Sequence, residues 1–443
     1  MGIITISALV GISIIAIIVL TSRYKLKAFI ALFLVSLFLA FTTLPPGTIV
    51  GTLKEGFGNT MASIGFLIIL GAIIGITLDK TGGTLSIARY ILSKTGTQRS
   101  APAMAITGFV TGLPIFCDSG FIILSGLAKS FSSSSKVAMP FMATVLAGSL
   151  YSVHCLIPPH PGALAAAGML KVNIGYLIIL GTLFAIPGTL AAYFWSKWLT
   201  KGKNYPPALE TEIDPQLTRD KLPSAFLSLL PIVVPLLLIT LKSLFNLFDK
   251  GGQSLLTKIF FFPGEPIFAL AIGVILAMFL LQEKSIASMN HIFSEAIEKA
   301  GPILIVTAAG GMFGMVIKAT GIGEAMGKEL SGMGIGLLIP FLIAVLMKTA
   351  QGSSTVAIIT TASFVAPMLA MLGLDSEWGK LLAMLAMGAG SMVVSHANDS
   401  YFWVVTNFSD IEPDVSLRVF SSSTLVMGLV VFACVWMLSL VML

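Results

Sequence analysis

The sequence has few charged residues and few cysteines, and each shortage excludes a class of protein. Only 10% of its 443 residues are charged, whereas a soluble domain carries roughly a quarter. The three cysteines follow no pattern, so neither a disulfide framework nor a zinc site is expected. The net charge of +6 lies mostly in loops, which indicates membrane topology rather than a nucleic-acid partner.

Long runs without any charged residue take the place of these features. Each run meets or approaches the roughly 20 residues that a helix needs to span a bilayer. The runs occupy residues 2–22, 28–53, 56–78, 172–196, 222–241, 266–282, 300–317, 330–347 and 419–443. The sequence therefore predicts an all-α polytopic membrane protein with about 12 to 14 membrane segments in the lipid bilayer.

Charge bias predicts how the chain is divided and oriented. Basic residues cluster at 23–27, 80–99 and 197–221, and the positive-inside rule places these segments in the cytoplasm. We predict a first transmembrane repeat over residues 1–199, a cytoplasmic linker over 200–221 and a second repeat over 222–443. The N-terminus would lie outside, and the second repeat would be inverted relative to the first.

Matching motifs in the two halves favour an internal duplication. Gly71-Ala-Ile-Ile-Gly75 recurs as Gly310-Gly-Met-Phe-Gly314, and each is followed at the same spacing by Thr-Gly. Ala-Gly-Ser before His154 recurs before His396, at an offset only three residues different. Small residues also serve close helix packing, which is the more common explanation for these four glycines. Inverted repeats with broken helices are a recurring plan of secondary transporters.

Four polar segments, two in each half, interrupt the apolar runs. Three prolines in 153–162 remove backbone donors and block a continuous helix. In hydrocarbon such breaks survive only where protein or a water-filled cavity surrounds them. We predict that 117–120 and 351–355 form the tips of re-entrant hairpins. We also predict that 153–162 and 395–400 face each other near the bilayer centre.

Polar groups at these breaks suit a carboxylate or a polyol, and helix N-termini favour anions. The candidate substrate ligands are Asp118, Ser119, His154, His160, Lys348, Gln351, Ser353, Ser354, Thr355, His396, Asn398 and Asp399. Lys348 could instead snorkel to a helix end, and the histidines could be packing residues. No cofactor and no metal are expected.

Three residues are candidates for carrying a coupling proton. Asp118 ranks first, because its apolar neighbours remove hydration and so favour the uncharged carboxyl. Asp399 is flanked by Asn398 and Ser400, whose hydrogen bonds could keep it ionised. His160 is a further rival, because an unperturbed histidine changes charge near neutral pH and so needs less help from its environment.

At these motifs the sequence resembles the gluconate permease family, which comprises gluconate:proton symporters and D-serine-transporting relatives. The most specific stretches are residues 112–120, 154–162, 350–357 and 395–403, including Pro-Pro-His-Pro. The resemblance implies a bacterial inner-membrane permease, built from inverted repeats with paired hairpins, that takes up small hydroxylated carboxylates with protons. It also implies functional positions at Asp118, His154, His160 and Asp399, with a basic residue near Lys348.

Several alternatives stay open from sequence. Ser119, where relatives often carry an apolar residue, leaves gluconate, another sugar acid, glycerate and D-serine as substrates. Sodium could replace the proton, since carbonyls at broken helices can hold it. An intramembrane metalloenzyme would need ligands such as the histidines and aspartates, but no H-E-x-x-H spacing occurs. A passive anion channel and association into a homo-oligomer also stay open.

Overall fold

The protein is helical throughout the part of the chain that the structure describes. A computed structural model describes residues 3–95, 99–203, 205–208, 222–248, 255–321, 336–397 and 399–443. Every regular element in these ranges is a helix, which confirms the predicted all-α fold. Of the predicted linker 200–221, residues 204 and 209–221 lie outside the described residues.

The first half contains nine helices within the described ranges. They are α1 (Ile3–Ser22), α2 (Ala28–Thr43), α3 (Pro46–Thr81), α4 (Gly83–Thr95), α5 (Ser100–Gly112), α6 (Cys117–Ser135), α7 (Met139–Leu156), α8 (Pro161–Leu170) and α9 (Ile174–Thr200).

The second half contains ten α-helices among its described residues. They are α10 (Ala225–Phe248), α11 (Leu255–Phe260), α12 (Pro266–Met278), α13 (Ile286–Ala319), α14 (Leu338–Gln351), α15 (Ser354–Val365), α16 (Glu377–Met392), α17 (Ser400–Phe408), α18 (Pro413–Ser416) and α19 (Ser422–Met442).

The two halves share an order of elements. Each has a long helix, α3 or α13, of 36 and 34 residues. Each then has two helices joined by a short break, which we call the first hairpin (α5–α6) and the second hairpin (α14–α15). Next comes a helix interrupted near its middle, the first broken helix (α7–α8) or the second broken helix (α16–α17). This order is what a duplication predicts, and the inversion of the second half stays a prediction.

The residues next to each break determine where the helices are interrupted. In the first broken helix, Pro158 and Pro159 follow the end of α7, and Pro161 opens α8 at a position that needs no backbone donor. In the second hairpin, Gly352 has a φ of +84°, which a residue with a Cβ rarely adopts. Ser353 then caps α15 by accepting a hydrogen bond from the Val356 amide at 3.3 Å. Both breaks are therefore encoded by neighbouring residues.

Six helices within the described residues are long and apolar enough to cross a membrane. They span Pro46–Thr81, Met139–Leu170, Ile174–Thr200, Ala225–Asn246, Ile286–Ala319 and Pro413–Met442, where the second and the last contain a break or a bulge. Large apolar side chains such as Phe66 and Trp198 are exposed on their outer faces, as lipid contact requires. The count of 12 to 14 segments stays a prediction.

The first broken helix lies at the centre of the molecule. Every residue of α7 is buried, and α7 packs against α5, α6, α9 and α16. A helix with neighbours on all sides can hold polar groups only if the protein itself satisfies them. The interior of this bundle is therefore where the polar segments meet.

The paired glycines serve close packing. A Cβ at Gly75 would lie 2.6 Å from the carbonyl oxygen of Pro114, in the turn of the first hairpin. A Cβ at Gly71 would lie 3.2 Å from Pro159, and one at Gly314 would lie 3.2 Å from the carbonyl oxygen of Ser363. In the first half the small residues of the long helix thus let two polar segments approach its backbone, and in the second half they let helix α15 do so.

Gly75→Ala is expected to lower the stability of the protein by about 1–3 kcal/mol, the usual cost of overpacking. The added methyl group cannot avoid the Pro114 carbonyl without moving the hairpin turn. Gly58→Ala on the same helix is the matched control, since nothing lies within 4 Å of its added Cβ. The melting temperatures of the two purified variants measure the difference, and equal values would contradict the packing role of Gly75.

Candidate functional site

Two histidines of the first broken helix connect it to both hairpins. The rings of His154 and His160 lie with their centroids 4.7 Å apart, and both residues are buried. His154 Nε2 lies 3.2 Å from the hydroxyl oxygen of Thr355, at the start of α15. His160 Nε2 donates to the carbonyl oxygen of Gly112, at the end of α5, at 2.7 Å. The break therefore holds a hairpin from each half.

A buried ion pair lies at the second broken helix. Lys348 Nζ is 2.5 Å from Asp399 Oδ2, and the two side chains are 0% and 4% exposed. Asp399 caps α17 by accepting from the Tyr401 amide at 3.0 Å, and it also accepts from the Ser395 hydroxyl. Lys348 donates in addition to the carbonyl oxygen of Gly352. The ammonium thus joins the tip of the second hairpin to the second broken helix.

Asp118 lies in the first turn of α6, just after the break of the first hairpin. Its Oδ1 is buried and has no hydrogen-bond partner among the described residues. The Cys117 thiol lies 4.0 Å from its Oδ2, and Asp399 and Lys348 are within electrostatic range. The neighbouring Ser119 is half-buried. The structure therefore places this carboxyl within electrostatic range of the ion pair, without a direct contact among the described residues.

The N-terminal ends of four helices meet in pairs at these breaks. The start of α8 touches the start of α15, since a Cβ at Gly162 would lie 3.1 Å from Cα of Thr355. The start of α6 touches the start of α17, where the rings of Phe121 and Tyr401 lie 6.3 Å apart. Free backbone N–H groups and the helix dipole make such ends favourable for anions.

The two broken helices lie against each other through residues next to the predicted segments 153–162 and 395–400, and direct contact between those segments stays a prediction. Ring contacts with centroid distances of 6.5 and 5.3 Å lead from His154 to Tyr151 and from Tyr151 to Tyr401. Tyr151 donates its hydroxyl to the carbonyl of Ser391 at 3.1 Å, and Tyr401 donates to the carbonyl of Ala147 at 3.0 Å. Their place relative to the bilayer centre stays a prediction.

Tyr151 and Ser395 are site residues that the sequence reasoning missed. The Tyr151 ring lies between His154 and the Lys348 ammonium, which is 5.5 Å from the ring centroid. Its spacing of three residues from His154 puts both on one helix face, and that spacing could have indicated it. Ser395 has no comparable signal beyond its place in the polar segment.

The prediction that Ser400 bonds to Asp399 was wrong, and the prediction for Asn398 is not tested. Ser400 is exposed, and Asn398 lies outside the described residues. Lys348, Ser395 and Tyr401 supply the contacts instead. The snorkelling alternative for Lys348 is also wrong, because its side chain is fully buried and paired.

Two other predicted ligands lie less centrally. Gln351 directs its amide nitrogen to the Thr21 hydroxyl on α1, at 3.2 Å, away from the ion pair. His396 is half-buried, whereas its repeat counterpart His154 is buried. The His396 carbonyl accepts the Asp399 amide at 2.7 Å and so shapes the turn before α17. The hydroxyls of Ser353, Ser354 and Thr355 remain at the tip, with Ser354 buried.

The residues that the structure describes form no cluster of metal-ligating side chains. No group of three or more histidine, cysteine, aspartate or glutamate side chains is placed there to hold an ion. The polar centre is instead an ion pair, a carboxyl, two imidazoles and hydroxyls, together with the ends of helices.

Comparison with known proteins agrees with this arrangement. The chain is 32% identical over 453 residues to the inner membrane permease YgbN of Escherichia coli, covering 98% of this chain and 99% of that protein. It is 29% identical to a gluconate permease of Pseudomonas aeruginosa, covering 97% of each. The structure of the YdaH transporter of Alcanivorax borkumensis superposes with a TM-score of 0.63 at 13% identity, covering 93% of this chain and 96% of that one.

These relatives place the protein among multi-pass transporters of the bacterial inner membrane. The family model for GntP family permeases matches residues 4–441, which is nearly the whole chain. The protein is therefore a member of the GntP permease family.

Proposed function

We propose that the protein imports gluconate or a closely related small hydroxy acid together with a proton. The observation that carries this proposal is that four helix N-termini, in two contacting pairs, lie at the breaks that hold the half-buried Asp118 and the buried Lys348–Asp399 ion pair. Such a centre offers positive potential for a carboxylate and hydroxyls for a polyol. The relative named as a gluconate permease supports the same substrate class.

The second hairpin supplies the groups for the substrate. The first turn of α15 presents backbone amides together with the side chains of Ser353, Ser354 and Thr355. A carboxylate bound there would receive charge-assisted hydrogen bonds from the amides, and the hydroxyls would bind hydroxyls of the substrate. His154 beside Thr355 would extend this surface to the first broken helix.

Asp118 is the group we propose for the proton. Moving an anion through the centre of a membrane protein is costly, and a proton taken up with it keeps the moving charge neutral. Asp399 is less suited to this role, because its carboxylate is held in a buried ion pair with Lys348. His160 is fixed to the first hairpin by its contact with the Gly112 carbonyl, which gives it a role in holding the break together. Among the described residues no cation pairs with Asp118 within 4 Å, and its carboxyl contacts the Cys117 thiol instead.

Uptake of radiolabelled gluconate into proteoliposomes tests the proposal. An inward proton gradient should drive saturable accumulation above the external concentration, and a protonophore should abolish it. Unlabelled glycerate, D-serine and other sugar acids added in excess rank the substrates. Equilibration without accumulation would favour a channel, and metal-dependent conversion of the substrate would favour an enzyme.

Alanine changes at Gln351, Ser353, Ser354 and Thr355 are each expected to weaken apparent substrate affinity. The loss of one hydrogen bond, about 0.5–1.5 kcal/mol, corresponds to roughly two- to tenfold. Gln351→Ala should have the smallest effect, because its amide faces α1. Competition binding to purified protein measures the affinities.

Thr361→Val is the matched control for these four variants. Thr361 is buried on the same helix α15, at a distance from the tip, and valine preserves its shape. Its affinity should match that of the unmodified protein. Unchanged affinity in all four tip variants would exclude the second hairpin tip as the binding site.

A further inference from the structure

The ammonium of Lys348 lies where a chain break concentrates groups that attract a cation. The Lys348 side chain is fully buried. Its ammonium contacts the Gly352 carbonyl, the carboxylate of Asp399 and the ring face of Tyr151. The Gly352 carbonyl follows directly on the C-terminal end of α14, which carries the negative end of the helix dipole. Three independent features of the site thus favour a positive charge.

These groups are of the kind that bind a free monovalent cation. Carboxylate and backbone carbonyl oxygens coordinate hard cations such as sodium, carbonyls and C-terminal ends of broken helices hold sodium in transporters, and aromatic faces attract ammonium groups. Asp399 is itself fixed by Ser395 and by the Tyr401 amide. The acceptor groups are therefore held in place by the fold.

We propose that Lys348 is a tethered cation that permanently fills a monovalent-cation site between Gly352 and Asp399. The protein then needs no sodium from the medium, and removal of the lysine side chain opens a site that sodium or methylammonium can enter. The transport part of this inference rests on the proposed symport, whereas the binding part does not.

The charges around the site agree with a resident cation. Asp399 faces Lys348 from the second broken helix, and Asp118 on α6 lies within electrostatic range. From α7 the ring of Tyr151 faces the ammonium, with His154 beyond it. Without the ammonium, two carboxyl groups and a helix C-terminus would share a buried space, and breaking a buried pair in this way is strongly destabilising.

Thermal unfolding of purified Lys348→Ala tests the site without any substrate. In choline chloride, whose cation is too bulky for the space of one lysine side chain, the variant should melt well below the unmodified protein. Methylammonium or sodium chloride at equal ionic strength should raise its melting temperature with saturation, as expected for a ligand that binds the folded state. The unmodified protein should melt equally in all three salts.

Two variants control for nonspecific salt effects. Lys129→Ala breaks an ion pair of the same chemistry with Asp410, whose side chain is 74% exposed, and it should show no preference among the salts. The double variant Lys348→Ala with Asp399→Ala lacks the carboxylate ligand and should lose the stabilisation by methylammonium. A double variant that responds as strongly as Lys348→Ala would overturn the assignment of Asp399 as a ligand of this site.

Failure to fold does not leave the inference undecided. If Lys348→Ala cannot be purified in choline chloride, recovery of monodisperse variant in methylammonium chloride shows the same stabilisation by the added cation. If the variant cannot be recovered in either salt, the proposed cation site is overturned. In proteoliposomes, uptake by the unmodified protein should be equal in sodium and choline media. A sodium requirement there would overturn the tethered cation, whereas an absence of uptake in every medium would overturn only the proposed function.

Discussion

Asp399→Ala should lose about 3–5 kcal/mol of stability, the typical cost of breaking a buried pair by removing one partner. The variant would leave the Lys348 ammonium, which is 0% exposed, without its carboxylate in a region that water does not reach. It would also remove the side chain that caps α17 through the Tyr401 amide. Thermal or denaturant unfolding of the protein in detergent measures the loss, and transport should disappear with it.

Asp410→Ala provides the matched control for this effect. Asp410 also pairs with a lysine, Lys129, at 2.5 Å, but its side chain is 74% exposed. An exposed pair contributes about 0–1 kcal/mol, so this variant should unfold nearly as the unmodified protein does. The double variant Lys348→Ala with Asp399→Ala should be more stable than Asp399→Ala, because it leaves no ammonium unpaired. Equal losses from Asp399→Ala and Asp410→Ala would show that burial does not govern the pair.

The breaks in the fold were predictable because their causes are local. Pro158, Pro159 and Pro161 cannot continue a helix, and Gly352 with Ser353 supplies a turn and a cap. Charge-free runs long enough to span a membrane predicted the apolar helices. Each of these signals needs only a few neighbouring residues, so a single sequence was sufficient.

The contacts between the breaks were less predictable because they join distant parts of the chain. Lys348 and Asp399 are separated by 51 positions, and nothing in either segment specifies the other. The predicted partners of Asp399 were its chain neighbours, whereas the fold supplies Lys348 and Ser395. Gln351 looked like a tip ligand, but packing of α1 beside α14 provides the Thr21 hydroxyl for its amide.

The predictable features of the candidate site come from local sequence, and the unpredictable ones come from contacts between distant segments. The residue types at the four breaks follow from the cost of polar groups in an apolar interior, and these could be proposed from composition and spacing. Which of them pair depends on helix packing. Asp118 and Asp399 are both aspartates at helix starts, yet only Asp399 has a lysine within 4 Å among the described residues.

Asp118→Asn is expected to abolish proton-driven accumulation while leaving exchange of substrate intact. The amide resembles the protonated acid in size and hydrogen bonding but cannot release a proton, so the transport cycle would run without coupling. A one-unit pH gradient corresponds to about 1.4 kcal/mol, or tenfold accumulation for one proton per monovalent anion. Proteoliposomes made with the variant should therefore fall from this ratio to equilibration, with exchange of labelled for unlabelled substrate continuing.

Asp410→Asn is the matched control, since it makes the same chemical change at an exposed aspartate and should accumulate substrate as the unmodified protein does. Counterflow separates a coupling defect from a binding defect, because a variant that cannot bind substrate loses exchange as well as accumulation. The Asn side chain has nearly the same size as that of Asp118, so folding should persist, and the melting temperature of the variant checks this. If Asp118→Asn still concentrates substrate against its gradient, the coupling proton is carried elsewhere, and Asp399 beside Lys348 becomes the next residue to replace.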